Sequence, residues 1–303
     1  MNALASFIMR GRSQAMLTVV GFAALSMIIP LLSYFSAAAV ALVTLRLGAL
    51  PGLTLIVTSS AFIGALSMFS AFAMSMMPAM ISLALMVLLL WGLALVLRQT
   101  RSLAMTIIVA AAVGVVIILG FYAAIGDGVS WWQKVLREWF GPAIEQAGEN
   151  TQQMYLLLDS WAPHMTGFLA AVIIVNTLLC LFLARWWQAT LYNPGGFREE
   201  FHALQLGRQF ALVTLVVGIL AWVPMGMATL VMKDVLMLCM SVYVLQGLAV
   251  VHTVIARKKM QSAWFIGVYI VVLLMSQVIA MIGFIDTWAD LRNRIAPSGG
   301  AQG

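Results

Sequence analysis

Long apolar runs separated by short charged gaps dominate this chain, and the gaps alternate between strongly and weakly basic along the sequence. A backbone amide in hydrocarbon has no water to bond, so such a run must satisfy its hydrogen bonds internally, as a helix or a closed barrel. Barrel strands alternate apolar and polar residues, whereas these runs are apolar on every face, which selects helices. With 63% apolar and 9% charged residues the chain is far from the roughly 25% charged of a soluble domain. The sequence predicts an all-α fold, a polytopic transmembrane helical bundle forming one integral membrane domain over residues 1–303.

A hydrocarbon layer about 30 Å thick takes about 20 helical residues per pass. Apolar runs occur at 14–33, 34–45, 51–74, 76–97, 103–125, 165–184, 209–224, 235–256 and 263–285, which is nine candidate passes. Pro30 interrupts the first run and the second is short, so the two can also be one broken helix, giving eight. The basic residues separate the two counts. Nine passes with the N-terminus inside put Arg10, Arg12, Arg46, Arg98, Arg101, Arg185, Arg198, Arg208, Arg257, Lys258 and Lys259 on one side. Lys134, Arg137, Lys233, Arg292 and Arg294 fall on the other, eleven against five; eight passes weaken this to nine against seven. The positive-inside rule favours nine, with a cytoplasmic N-terminus and an outer C-terminus in a bacterial inner membrane.

Arg10 and Arg12 precede an apolar stretch as in a signal peptide, yet no small-residue cleavage site follows and the stretch runs into further apolar sequence, so a retained helix is expected. Cys180 and Cys239 each lie inside an apolar run and read as small packing residues. The net charge of +6 matches a cytoplasmic rim facing anionic lipid headgroups and calls for no nucleic acid.

Residues 126–164 form an outer amphipathic insertion. After Gly126-Asp127-Gly128, Ser130 is expected to cap a helix carrying Trp132, Val135, Leu136, Trp139 and Phe140 on one stripe, opposite Lys134, Arg137 and Glu138. Gly141-Pro142 is expected to end it. A second piece capped by Thr151 aligns Met154, Leu157, Leu158 and Trp161, and Pro163 closes it. Such helices lie at the headgroup level, or form a lid over a cavity that opens outward. Five acids against two bases make the insertion net negative, so it tolerates a cationic or zwitterionic ligand better than an anion.

Residues 185–208 form the main cytoplasmic connector. Asn193-Pro194-Gly195-Gly196 is a turn signal, because proline fixes φ and glycine accepts positive φ. Arg198, Glu199, Glu200 and His202 crowd behind it, either as a solvated turn or as a docking surface for a cytoplasmic partner.

Arg185-Trp186-Trp187-Gln188 followed by Leu191-Tyr192-Asn193-Pro194-Gly195-Gly196-Phe197 and Glu200-Phe201 resembles the YybS-like family of bacterial multi-pass membrane proteins, a family with no established activity. That family is distantly similar to the substrate-binding S components of energy-coupling-factor vitamin transporters. The matching residues here are a short second helix, Arg46-Leu47-Gly48 with Gly52 and Gly64, and Ala37 and Ala41 four apart. The resemblance implies that Ala37 and Ala41 contact a membrane coupling subunit. S components usually have six helices and about two thirds of this length, a departure from the pattern. Read without the resemblance, Ala37, Ala41, Gly48, Gly52, Ala110 and Gly114 let helix backbones approach closely within one bundle.

Chemistry is constrained by what the letters lack. No phosphate-binding Gly-x-x-x-x-Gly-Lys-Ser/Thr loop and no His-Glu-x-x-His pair occur, and His164, His202 and His252 are far apart, so no metal, cofactor or enzymatic activity is expected. Acids are expected to be absent from span centres, with Asp234 beside Lys233 at an outer helix start. The polar residues inside apolar runs are Asn176, Gln246, His252 and Gln277, and each must find a hydrogen bond. They bond one another between helices, or with Trp222, Tyr243 and Trp264 they line a pocket for a small uncharged or amphiphilic molecule. Asn176, Gln246, Gln277, Trp222 and Tyr243 are the ligand candidates; Ala37, Ala41, Asn193, Gly195, Gly196, Arg198, Glu199 and Glu200 are the partner-contact candidates. Two functions follow: a non-enzymatic component that binds or helps move a small molecule or lipid, and an assembly factor acting through the connector.

Overall fold

The computed structural model describes residues 2–26, 28–67, 73–148, 150–261 and 263–294, with side chains described outside 66–83 and 293. Every regular element among the described residues is helical: α1 (Asn2–Ile8), α2 (Arg12–Leu25), α3 (Ser33–Leu47), α4 (Ala49–Ser67), α5 (Ala73–Thr100), α6 (Leu103–Ile125) and α7 (Gly128–Ala147). There follow α8 (Thr151–Trp161), α9 (Met165–Tyr192), α10 (Gly196–His202), α11 (Gly207–Leu220), α12 (Met227–Arg257), α13 (Trp264–Ala289) and α14 (Leu291–Arg294), with 3₁₀ turns at Pro30–Leu32 and Ala162–His164.

Among the described residues, five helical stretches are long and apolar enough to cross a membrane: Pro30–Leu47, Leu103–Ile125, Thr151–Tyr192, Met227–Arg257 and Trp264–Ala289. The pair α10 and α11, bent by 48°, makes a sixth if it is one broken span. The expected eight or nine passes are not all found among the described residues. The run at 14–33 holds only the 14-residue α2, about 21 Å of helix against the roughly 30 Å needed. Pro30 opens a separate 3₁₀ turn instead of continuing that helix. The runs at 51–74 and 76–97 extend into 68–72, outside the described residues.

The chain divides into two compact units. In the first, Met1–Ala110 with Val175–Leu204, α3 is the axis, and its residues 36–45 are buried throughout. Alanines at 37, 38, 39 and 41 give that helix a narrow waist, and Ser36 donates to the Val19 carbonyl at 2.8 Å, tying it to α2. α3 ends at Gly48, whose φ of 108° suits glycine and whose amide bonds the Thr44 carbonyl at 3.0 Å, and the Arg98 guanidinium also donates to the carbonyls of Thr44 and Leu45, both at 3.2 Å. A Cβ on Gly52 would collide with the Thr44 side chain, so this glycine sets the approach of α3 and α4.

In the second unit, Ala111–Ile174 with Gln205–Gly303, α12 is the long axis. Gly247 and Gly283 bring α12 and α13 into backbone contact: a Cβ on Gly283 would lie 2.6 Å from the Gly247 nitrogen. α13 bends at Met275, where φ is −142° and ψ is 52°. Before the bend, Phe265 and Tyr269 meet His252; after it, Ile279 and Gly283 meet α12 near Gly247. Asp290 then takes a left-handed turn with φ of 46°, and the Arg257 guanidinium donates to the Arg292 carbonyl. Arg292 therefore stands at the Arg257 end of α12, whereas an unbroken crossing by α13 would have separated the two.

The insertion over 126–164 is a helical hairpin whose helix starts differ from those expected. Asp127, not Ser130, caps α7, its carboxylate accepting from the Ser130 amide at 3.2 Å and the Ser130 hydroxyl at 2.5 Å. Pro142 does not end α7, which runs on to Ala147 because Leu136, Gly141 and Ile144 keep its inner stripe buried. Thr151 is the first residue of α8, and Asn150, in the left-handed region, precedes it without a side-chain cap.

Candidate functional site

Two buried carboxylates sit in helices long and apolar enough to cross a membrane, Asp234 seven residues after the start of α12 and Asp286 three before the end of α13. Asp234 was read as an interfacial acid because the apolar run starts at 235, yet α12 begins at Met227, two turns earlier. The signal was Pro224 with Gly226, a break followed by uninterrupted helix formers. Asp286 fell one residue beyond the run ending at 285, while α13 continues to Ala289.

Asp234 is 1% exposed. Its Oδ2 accepts from the Tyr122 hydroxyl of α6 at 2.8 Å, and its Oδ1 has no hydrogen-bond donor. The Tyr122 hydroxyl stands beside that of Thr166 at the start of α9, and Thr166 accepts from the Trp132 indole of α7 at 2.9 Å. A file of neutral donors thus runs from the α7–α8 hairpin to one oxygen of a buried carboxylate. Gly167 makes room for it, since a Cβ there would lie 2.7 Å from Asp234 Oδ1.

The hairpin covering this file has its own core of Trp132, Leu136, Ile144, Leu158 and Ala162, with Phe121, Val135 and Tyr155 packed against it. Trp132 and Leu136, expected on the membrane stripe, turn inward. Trp139, Phe140, Leu157 and Trp161 of the expected stripes are exposed, as is Leu156. Arg137 binds Asp159 in a fork, Nε to Oδ1 at 3.3 Å and Nη2 to Oδ2 at 2.6 Å, and locks α7 to α8. That bond holds the Arg137 pKa above its ordinary value. Hydrogen bonds from the Ser130 hydroxyl and then its amide hold Asp127 below the usual carboxylate range.

Of the five ligand candidates, only Tyr243 and Gln246 come together, one turn apart on the face of α12 that meets α13. Gln246 is fully employed: Oε1 accepts from the Leu206 amide at 2.9 Å, and Nε2 donates to the Gly283 carbonyl at 2.8 Å and lies 3.3 Å from Thr287 Oγ. Tyr243 is buried between Phe210 and Phe284. Asn176 belongs to the first unit, where Oδ1 accepts from the Tyr34 hydroxyl at 2.6 Å. Gln277 and Trp222 are exposed, Trp222 at 88%, so neither lines a pocket with the others. Asp286, missed in the sequence, completes the Gln246 cluster: its Oδ2 pairs with Arg292 Nη2 at 2.8 Å.

The partner candidates also divide. Ala37 and Ala41 are buried inside the first unit. In the connector, Asn193, Gly195, Arg198 and Glu199 are exposed, Gly196 is buried, and Glu200 is occupied by Arg185, whose Nε reaches it at 2.9 Å. Phe182, Phe197 and Phe201 stack beneath α10 with centroids about 6 Å apart, and Arg46 lies 4.1 Å over the Tyr192 ring.

An all-helical chain with several membrane-length helices and carboxylates buried within them is a multi-helix membrane protein. Residues 16–287 match the family model described as "Predicted membrane protein (DUF2232)", and the chain belongs to that family. No curated protein and no solved structure matches it.

Proposed function

We propose that the protein is a non-enzymatic component of the bacterial inner membrane, its N-terminus cytoplasmic, that binds a small molecule or lipid at its outer interface and takes part in moving it. The observation that carries this reading is the α7–α8 hairpin. It is fastened by Trp132 to α9 over a polar file leading inward, while its apolar ridge remains exposed. An amphipathic hairpin with tryptophans on its free edge partitions into the headgroup layer, where amphiphiles are met. Its excess of acids favours a cationic or zwitterionic headgroup. The reading rests on the hairpin and not on the S-component likeness.

Native mass spectrometry of the full chain released from lipid nanodiscs tests it. The wild type is expected to retain a small-molecule or lipid adduct that a Trp139→Ala/Trp161→Ala variant loses. A second reading, assembly through the connector, is favoured by the exposure of Arg198 and Glu199 on a helix braced by the Arg185–Glu200 pair. Co-purification of a cytoplasmic protein, with no adduct on either form, would decide for it.

A further inference from the structure

We propose that Asp234 is an exchangeable proton site, the proton residing on Oδ1. This goes beyond the binding role above and does not depend on it. A carboxylate withdrawn from water in an apolar bundle is costly as an anion unless it is paired or fully hydrogen-bonded. Intramembrane carboxylates without such partners are a recurring means of carrying protons. Asp234 has only partial compensation: among the described residues no lysine, arginine or histidine forms an ion pair with it, Tyr122 donates to Oδ2 alone, and the Gly167 amide that faces the carboxyl closes no hydrogen bond to Oδ1.

The surroundings identify the species. From α6 the facing titratable group is Tyr122, a donor to Oδ2. From α7 the facing residue is the neutral Trp132, while Asp127 at its cap acts on Tyr122 only through space. From the turn before α9, His164 is exposed; on α12 itself, Lys233 is exposed on another face. Trp132, Thr166 and Tyr122 supply donors that all point toward Oδ2, and an indole N–H has no basic lone pair to accept a proton in return. The open position is therefore Oδ1. Its binding step is a proton from hydronium forming an O–H bond there and leaving water behind; release reverses it. The site gains one positive charge and becomes neutral, with no other bond made or broken. Gly167 packs closely on this carboxyl group, since a Cβ there would lie 2.7 Å from Oδ1.

Infrared difference spectroscopy of the full chain in nanodiscs, between alkaline and acidic buffer, reads this directly. A protonated-carboxyl carbonyl band is expected in the wild type, sensitive to deuterium exchange, absent in Asp234→Asn, and shifted in Tyr122→Phe, which lacks the hydrogen bond to Oδ2. Asparagine keeps a carbonyl for Tyr122 and nearly the same volume. If it nevertheless fails to fold, the Tyr122→Phe spectrum decides, and an unshifted band overturns the proposal. Identical spectra for wild type and Asp234→Asn also overturn it. So does a band that vanishes at constant pH when sodium replaces choline, which assigns the position to a metal cation. None of these readouts uses a bound ligand, so the adduct experiment and this one fail separately.

Discussion

Asp286 and Arg292 form an ion pair at 2.8 Å across the left-handed turn at Asp290, with side chains 0% and 6% exposed. Removing one member of such a pair strands the other in an apolar setting, at a typical cost of about 3–5 kcal/mol, whereas replacing both by apolar groups is often neutral. Arg292→Met should therefore lower unfolding stability strongly. Asp286→Leu/Arg292→Met should recover most of the loss. Unfolding titrations with a denaturing detergent in mixed micelles measure both. A double variant as unstable as the single one would mean that the pair does more than compensate charge.

The helical class and the membrane setting were legible because 20-residue apolar stretches have few other solutions. The Asn193–Gly196 turn was legible for the same reason, since Gly195 at φ 93° is the conformation its letters request. The polar sites were not. Asp234 and Asp286 lie at the frayed edges of apolar runs, where one or two residues in a boundary decide whether a carboxylate faces water or a neighbouring helix. The choice between the two readings of Gln246 depended on Leu206 and Gly283, forty and thirty-seven residues away, which no local pattern brings together. The bend at Met275 has no proline or glycine beside it to announce it.

Close backbone contact at Gly247 and Gly283 makes a second expectation. A methyl group on Gly283 meets the Tyr243 carbonyl and the Gly247 nitrogen, atoms that move only if the helices separate. Gly283→Ala should cost about 1–3 kcal/mol, the usual penalty of overpacking, despite the better helix propensity of alanine. Gly267→Ala on the same helix, with open space around it, serves as the control. Thermal unfolding of the two variants in one detergent compares them.

The Asp127 cap gives α7 an acid-sensitive start. Its folded pKa lies below the ordinary value of 3.8, so its contribution is present above that value and is lost as pH falls through the lower, folded one. Amide protection at residues 130–132 should drop in that acid range, with intrinsic exchange corrected for. In Asp127→Ala the same amides should be weakly protected at every pH. Mass-resolved hydrogen exchange of the nanodisc-embedded chain provides the measurement.

In the connector, the Arg185 fork on Glu200 holds α10 against α9, with Arg198 exposed two residues before it. Glu200→Gln keeps the shape and weakens the charge-assisted bonds. Limited trypsin digestion should cut at Arg198 several-fold faster in that variant, and Glu199→Gln, on the exposed side, should match the wild type. Equal rates in all three would show that the aromatic stack of Phe182, Phe197 and Phe201 holds α10 unaided.

The bend in α13 makes a claim about sidedness. Arg257 and Arg292 touch, and Phe265 at the start of α13 meets His252, so both ends of that helix lie toward one end of α12. In a bilayer, a helix that leaves on the side it entered does not cross, and the Arg257-Lys258-Lys259 and Arg292–Arg294 groups share one aqueous face. Single cysteines at Lys258 and Arg294, in a chain whose buried Cys180 and Cys239 are replaced by alanine, should react with a membrane-impermeant maleimide from the same side of oriented vesicles. Labelling from opposite sides would show that α13 straightens and crosses in the membrane. It would also return the basic residues to the eleven-against-five division of a nine-pass chain. Same-side labelling moves Arg292 and Arg294 into the basic rim, which strengthens the charge asymmetry that orients the protein.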